Sequence, residues 1–182
     1  GMNVSSHCFF LMMLIASMLM VVTVQNALFF LIVWEVMSLS SFFLVIFEGE
    51  KKEVIKAGVK YLVYMHFSVL FILAAFVMLN LHSGSMNFAD FAAYAHQGDK
   101  FASLIFMLAF IGFGIKAGFV PFHNWLPDAH PAAPSHVSAV MSGVMIKTGL
   151  YGILRVLFML GTPTKSVAYT VFVIALVTAL YG

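Results

Sequence analysis

Residues 113–155 read FGIKAGFVPFHNWLPDAHPAAPSHVSAVMSGVMIKTGLYGILR. Two apolar runs meet here, Phe101–Val120 and Ser135–Leu160, joined through a polar turn at His130–Pro134. Each carries a lysine in its interior, Lys116 in the first and Lys147 in the second. Lys116 sits among Gly112, Gly114 and Gly118, with Pro121 just beyond. Glycines ahead of a proline favour an interrupted helix, which a membrane tolerates only against protein or a hydrated cavity. Taken alone, the Gly114-to-Gly118 spacing also fits close helix packing. Gly143, Gly149 and Gly152 repeat the pattern more weakly around Lys147.

The rest of the chain places this stretch in a bilayer. Of 182 residues, 63% are hydrophobic and only 9% charged, with a mean hydropathy of +1.04. Soluble domains are about one quarter charged, so this composition does not cover a solvated surface. Crossing the hydrocarbon core takes about 20 apolar residues. Candidate spans are Cys8–Val24, Asn26–Phe47, Val59–Leu81, Phe101–Val120, Ser135–Leu160 and Ser166 onward. The runs are continuous rather than alternating, which excludes barrel strands. The expected fold is all-α, a polytopic transmembrane bundle of about six helices, one of them broken near Lys116–Pro121. No basic segment or small-residue cleavage site marks the first run as a removable signal. Gly182 ends a run that is still apolar, and Cys8–Val24 begins almost at Gly1, so the chain reads as a piece of a longer membrane protein.

A net charge of +2 is too small and scattered for nucleic-acid binding. Cys8 is the single cysteine, which excludes an internal disulfide or an iron–sulfur ligand set. Seven histidines raise haem or metal binding, yet no HxxxH or HxxE cluster is present. No metal site or cofactor is expected, since nothing resembles a site for nickel, flavin, quinone or nucleotide. Lys51, Lys52, Lys56 and Lys60 fall within Glu48–Lys60, whereas Leu81–Lys100 holds His82, Asp90, His96, Asp99 and one lysine. The positive-inside rule puts segment 48–60 in the cytoplasm. Arg155 then lies near the outer end of its helix, where it can snorkel.

Three ionisable residues are deeper. Glu35 lies mid-run in LIVWEVMSL, and Lys116 and Lys147 are similarly placed. A charge at mid-bilayer costs about 2.5–3.5 kcal/mol even on a lenient scale. An inert Glu–Lys bridge tying helices together is one reading. The other is proton transfer, because one carboxylate against two ammonium groups leaves an odd charge, and a buried lysine can exist neutral. His66 in KYLVYMHFSVL is either a hydrogen-bonded core histidine or a proton carrier. His123 lies between Lys116 and the turn that His130 and His136 flank.

The Phe113–Arg155 stretch resembles the signature of the antiporter-like proton-translocating membrane subunits of complex I, Mrp antiporters and membrane-bound [NiFe] hydrogenases. Its HPAAPSHVSAVMSGVMIKTG wording is most similar to the hydrogenase-4 and formate hydrogenlyase branch. WEVMSLSSFFLV and SGSMNFADF resemble the same family's fifth helix and the loop after its sixth. The resemblance implies about fourteen helices built on two inverted five-helix repeats. On that pattern residues 1–182 form a single transmembrane domain holding helices four to nine, with the first repeat at about 8–160. By position Glu35 resembles the fifth-helix glutamate, Lys116 the lysine at the seventh-helix break, and Lys147 the eighth-helix lysine.

What the resemblance implies is a proton-translocating, non-catalytic subunit, coupled to oxidoreductase chemistry held by other membrane and peripheral subunits of a hydrogenase or complex I-like assembly. It would lie in a prokaryotic inner membrane. Protons would enter near His123 and pass along Glu35, Lys116 and Lys147, with His66 and His130 secondary. A sodium/proton antiporter subunit of the Mrp type and a non-transporting anchor for a peripheral hydrogenase are the alternatives.

Overall fold

The computed structural model describes residues 4–95, 101–161 and 163–181. Gly1, His96, Asp99, Lys100 and Gly182 lie outside them. The described residues form helices α1 (Val4–Thr23), α2 (Ala27–Val45), α3 (Lys52–Ser83), α4 (Phe88–Ala95), α5 (Ala102–Ala117), α6 (Leu126–Ala132), α7 (Ser135–Val140), α8 (Ile146–Leu160) and α9 (Lys165–Tyr181). Five helical stretches are long and apolar enough to cross a membrane: α1, α2 with its terminal 3₁₀ turn, α3, α5 through α6, and α7 through α8. The 17 residues of α9 are apolar but fall short of that length. The expected all-helical bundle is therefore present, with all six anticipated runs helical.

Helices α2, α3, α5 and α8 surround the core. Trp34 lies 5.5 Å from the Phe30 ring and 5.1 Å from the Phe113 ring, and Phe30 lies 5.8 Å from Phe76. Close approach depends on a few glycines. A Cβ on Gly112 would lie 2.8 Å from the Ser68 carbonyl of α3, and Ser68 Oγ donates to the Gly112 carbonyl at 2.7 Å. Gly112 is therefore a packing glycine, whereas the helix break is made by Gly118, which ends α5 at φ 75°.

Polar side chains at the ends satisfy backbone groups that lipid would leave bare. Asn26 caps α2 by accepting from the Leu28 and Phe29 amides at 3.0 and 3.3 Å, and donates to Asn87 at 3.2 Å. Ala27 N–H donates to Met86 at 2.7 Å and Phe88 N–H to Gln25 at 2.9 Å, which ties the α3–α4 connection to the α1–α2 turn. Arg155 does more than snorkel. Its guanidinium donates to the Val21 and Val24 carbonyls at the end of α1 and to Gln25 at 2.9 Å, and lies 4.3 Å over the Phe88 ring. A cation on exposed helix carbonyls is favoured by both hydrogen bonding and the helix dipole. Arg155→Ala is expected to lower stability by about 1.5–3 kcal/mol, measured as thermal unfolding of the detergent-solubilised protein.

Candidate functional site

The break in the fourth long span creates the site. Gly118 turns the chain, its amide donates to Ile115 at 3.2 Å, and the Phe119 amide reaches Gly114 at 3.0 Å. Trp125, on the 3₁₀ turn Phe122–Trp125 that precedes α6, sends its indole N–H back to the Ile115 carbonyl at 3.0 Å. The Gly114 and Ile115 carbonyls near the end of α5 are thereby paired. Lys116 sits in this last turn, where the negative end of the helix dipole favours a cation.

Lys116 is fully buried. Its ammonium donates to Ser38 Oγ at 3.0 Å and to the Tyr61 hydroxyl at 3.5 Å, between the Trp34 and Tyr61 rings at 5.5 and 5.9 Å. Ser38 in turn donates to the Trp34 carbonyl, and Tyr61 shares a 2.5 Å hydrogen bond with Ser41. Residues 34, 38 and 41 share one face of α2 by helical spacing. The cradle is therefore polar but neutral.

No carboxylate lies within ion-pair distance of Lys116 among the described residues. Glu35, one residue from Trp34 and so turned about 100° around α2, is half-buried. Its Oε2 faces His66 Nε2 of α3 at 3.9 Å, and its Oε1 is buried with no hydrogen-bond partner. Glu35 and Lys116 thus occupy one α2–α3–α5 region without touching.

Lys147 is elsewhere. A π-helical turn over Met141–Met145 sends the Ile146 amide to Met141 instead of Ser142, and the Ser142 carbonyl accepts the Lys147 ammonium at 2.6 Å. The side chain is exposed on the described surface and does not face Lys116. π-Turns mark local functional geometry more often than plain helix does. His123 lies on the turn after the break, half-buried, with Nδ1 unpartnered and its ring 5.2 Å from Tyr181 of α9. His130 pairs with Ser138 at 2.8 Å across the α6–α7 turn. His66 hydrogen-bonds the Leu62 carbonyl but is an exposed side chain, not a core one.

Sequence reasoning does not single out Ser38, Tyr61 and Trp34, and they are what Lys116 touches. The available signal is Ser38 and Ser41 on one helical face beside Glu35.

Known proteins share both the sequence and this arrangement of helices. A family model described as NADH:quinone oxidoreductase/Mrp antiporter, transmembrane, matches residues 24–182. Hydrogenase-4 component B of Escherichia coli is 47% identical over 156 residues, covering 86% of this chain and 23% of the relative. The Mrp complex of Dietzia superposes with a TM-score of 0.76 at 27% identity, over 83% of this chain and 17% of that one. An archaeal membrane-bound sulfane sulfur reductase gives the same TM-score at 30% identity, over 86% and 25%. The chain spans about a quarter or less of the length of these relatives.

Proposed function

The chain belongs to the NADH:quinone oxidoreductase/Mrp antiporter transmembrane family, and on that premise we propose that it forms one proton half-channel of an ion-translocating membrane subunit. Within the longer protein it would supply the first five-helix repeat, at about 8–160. Membrane and peripheral partner subunits of a hydrogenase or respiratory complex would carry out the redox reaction. A prokaryotic inner membrane with segment 48–60 on the cytoplasmic side fits the lysines there.

The observation that carries this reading is a fully buried lysine at a helix break with no carboxylate in contact among the described residues, and a glutamate on the adjoining helix whose carboxyl has a different partner. A carboxylate about 4 Å from an ammonium attracts it by about 4 kcal/mol at an effective dielectric near 20, and doubling the distance halves that. Moving one charge through about 150 mV costs about 3.5 kcal/mol. The two are comparable, so Glu35 approaching and leaving Lys116 is enough to hold and then release a proton. Lys147 would receive it, and His123 would feed the site.

Four buried side-chain atoms lack a partner among the described residues, and Trp34 Nε1, Glu35 Oε1 and His123 Nδ1 are three of them. Unpaired polar atoms of this kind suit a water-filled path. Proton rather than sodium is the proposed ion, because lysine, histidine and tyrosine carry protons whereas hard cations seek oxygen ligands.

The test is redox-driven proton uptake in vesicles carrying the whole complex. Glu35→Gln is expected to lower uptake at least about tenfold, as loss of an acid–base group does, with the complex still assembled. Unchanged uptake would leave the non-transporting anchor as the better reading.

A further inference from the structure

We propose that His66 and Glu35 hold a single proton between them, and that His66 thereby loads and unloads the carboxyl group that governs Lys116. The inference rests on the role given to Glu35 above and deepens it.

The imidazole is oriented by its own helix. Nδ1 lies 2.9 Å from the Leu62 carbonyl, which can only accept, so Nδ1 carries a hydrogen and Nε2 is the position that gains and loses one. Nε2 faces Glu35 Oε2 at 3.9 Å. A neutral imidazole opposite a carboxylate would set lone pair against negative charge, and a protonated carboxyl opposite an imidazolium would set proton against proton. The arrangement is favourable with one proton, held either on Nε2 or on Oε2.

Glu35 Oε1 adds the asymmetry. It is buried and unpartnered, so the carboxylate form carries an unsatisfied oxygen while the neutral acid carries a smaller penalty. In the exchange the Nε2–H bond breaks and the Oε2–H bond forms, converting imidazolium and carboxylate to imidazole and carboxylic acid. The gap must close by about 1 Å to reach hydrogen-bond distance. The reverse step restores both charges.

Among the described residues, α3 also carries Tyr61, bonded to Ser41, and α5 carries Lys116, bonded to Ser38. Lys147 of α8 is turned to Ser142. With the proton on Oε2, Glu35 exerts no pull on Lys116; with the proton on Nε2 the carboxylate is charged again, and the imidazolium beside it weakens but does not remove its pull. Half of the His66 side chain is open on the described surface.

The test uses the assembled complex in vesicles. His66→Gln keeps a polar side chain at an exposed position but holds no titrating proton, and it should lower redox-driven proton uptake at least about tenfold. In infrared difference spectra of the working complex, the carboxylic acid band that disappears in Glu35→Gln should appear and fade with turnover in the native complex, and should be lost in His66→Gln. Native uptake in His66→Gln with Glu35→Gln inactive would overturn the His66 role and leave the half-channel standing. Native uptake in both would overturn the two together. A Glu35 band that stays constant during turnover of the native complex would overturn the shared proton by itself, whatever the variants do.

Discussion

Lys116→Met should abolish proton translocation while leaving the protein at least as stable as the native form. Methionine nearly matches lysine in length and flexibility, so the substitution removes the charge without opening the cavity that alanine would. The charge is the costly part. Lys116 is fully buried, its nearest partners are two neutral hydroxyls, and no acid among the described residues neutralises it. Cation–π contacts and the helix end offset only part of the desolvation. Nor does its loss strand a donor, because Ser38 still donates to the Trp34 carbonyl and Tyr61 keeps its bond to Ser41. Replacing buried ionic groups by apolar ones of similar volume is commonly neutral or stabilising by about 1–4 kcal/mol. Thermal unfolding in detergent and proton uptake by vesicles, measured on the same preparation, separate the alternatives. If Lys116 were an inert tether, the methionine variant would melt lower and transport as before.

The spans are open to sequence reading because a bilayer imposes length and composition together. So is the break, where Gly118 adopts the left-handed conformation and Pro121 follows. What composition hides is azimuth. Glu35 and Ser38 are three positions apart on α2, yet only Ser38 reaches Lys116 while Glu35 faces His66 of α3. Three mid-membrane charges suggest one meeting point, but depth says nothing about which way a helix faces. Lys147 shows the same limit for a different reason. The π-turn at Met141–Met145 shifts the register of everything after it, and no residue in MSGVM marks that extra residue as proline would mark a kink. Helix α4 escapes a search for spans because FADFAAYA is only eight residues long, inside what reads as a connection.

The largest structural effect should come from Gly149→Leu, which is expected to prevent recovery of folded protein. A Cβ at this position would lie 2.7 Å from the Phe113 carbonyl oxygen, 2.9 Å from the Ala117 amide nitrogen and 3.1 Å from Ala117 Cβ. These atoms belong largely to the α5 backbone and cannot swing aside as a side-chain tip can, so α5 and α8 must separate. Without a hydrophobic driving force between helices, such close packing is what holds them together in a membrane. Gly149→Ala is the milder form and should cost about 1–3 kcal/mol, as overpacking does. It should also slow proton uptake, because Phe113 and Ala117 bracket Lys116 and move with the stretch of backbone that carries it. Gly143 supplies the control on the same run: a Cβ there would meet nothing within 4 Å, so Gly143→Ala should change stability by less than about 0.5 kcal/mol. Yield, thermal unfolding and uptake of the three variants together decide the matter. Gly149→Leu recovered and melting like the native protein would mean that α8 does not rest on α5 at the helix end that presents Lys116.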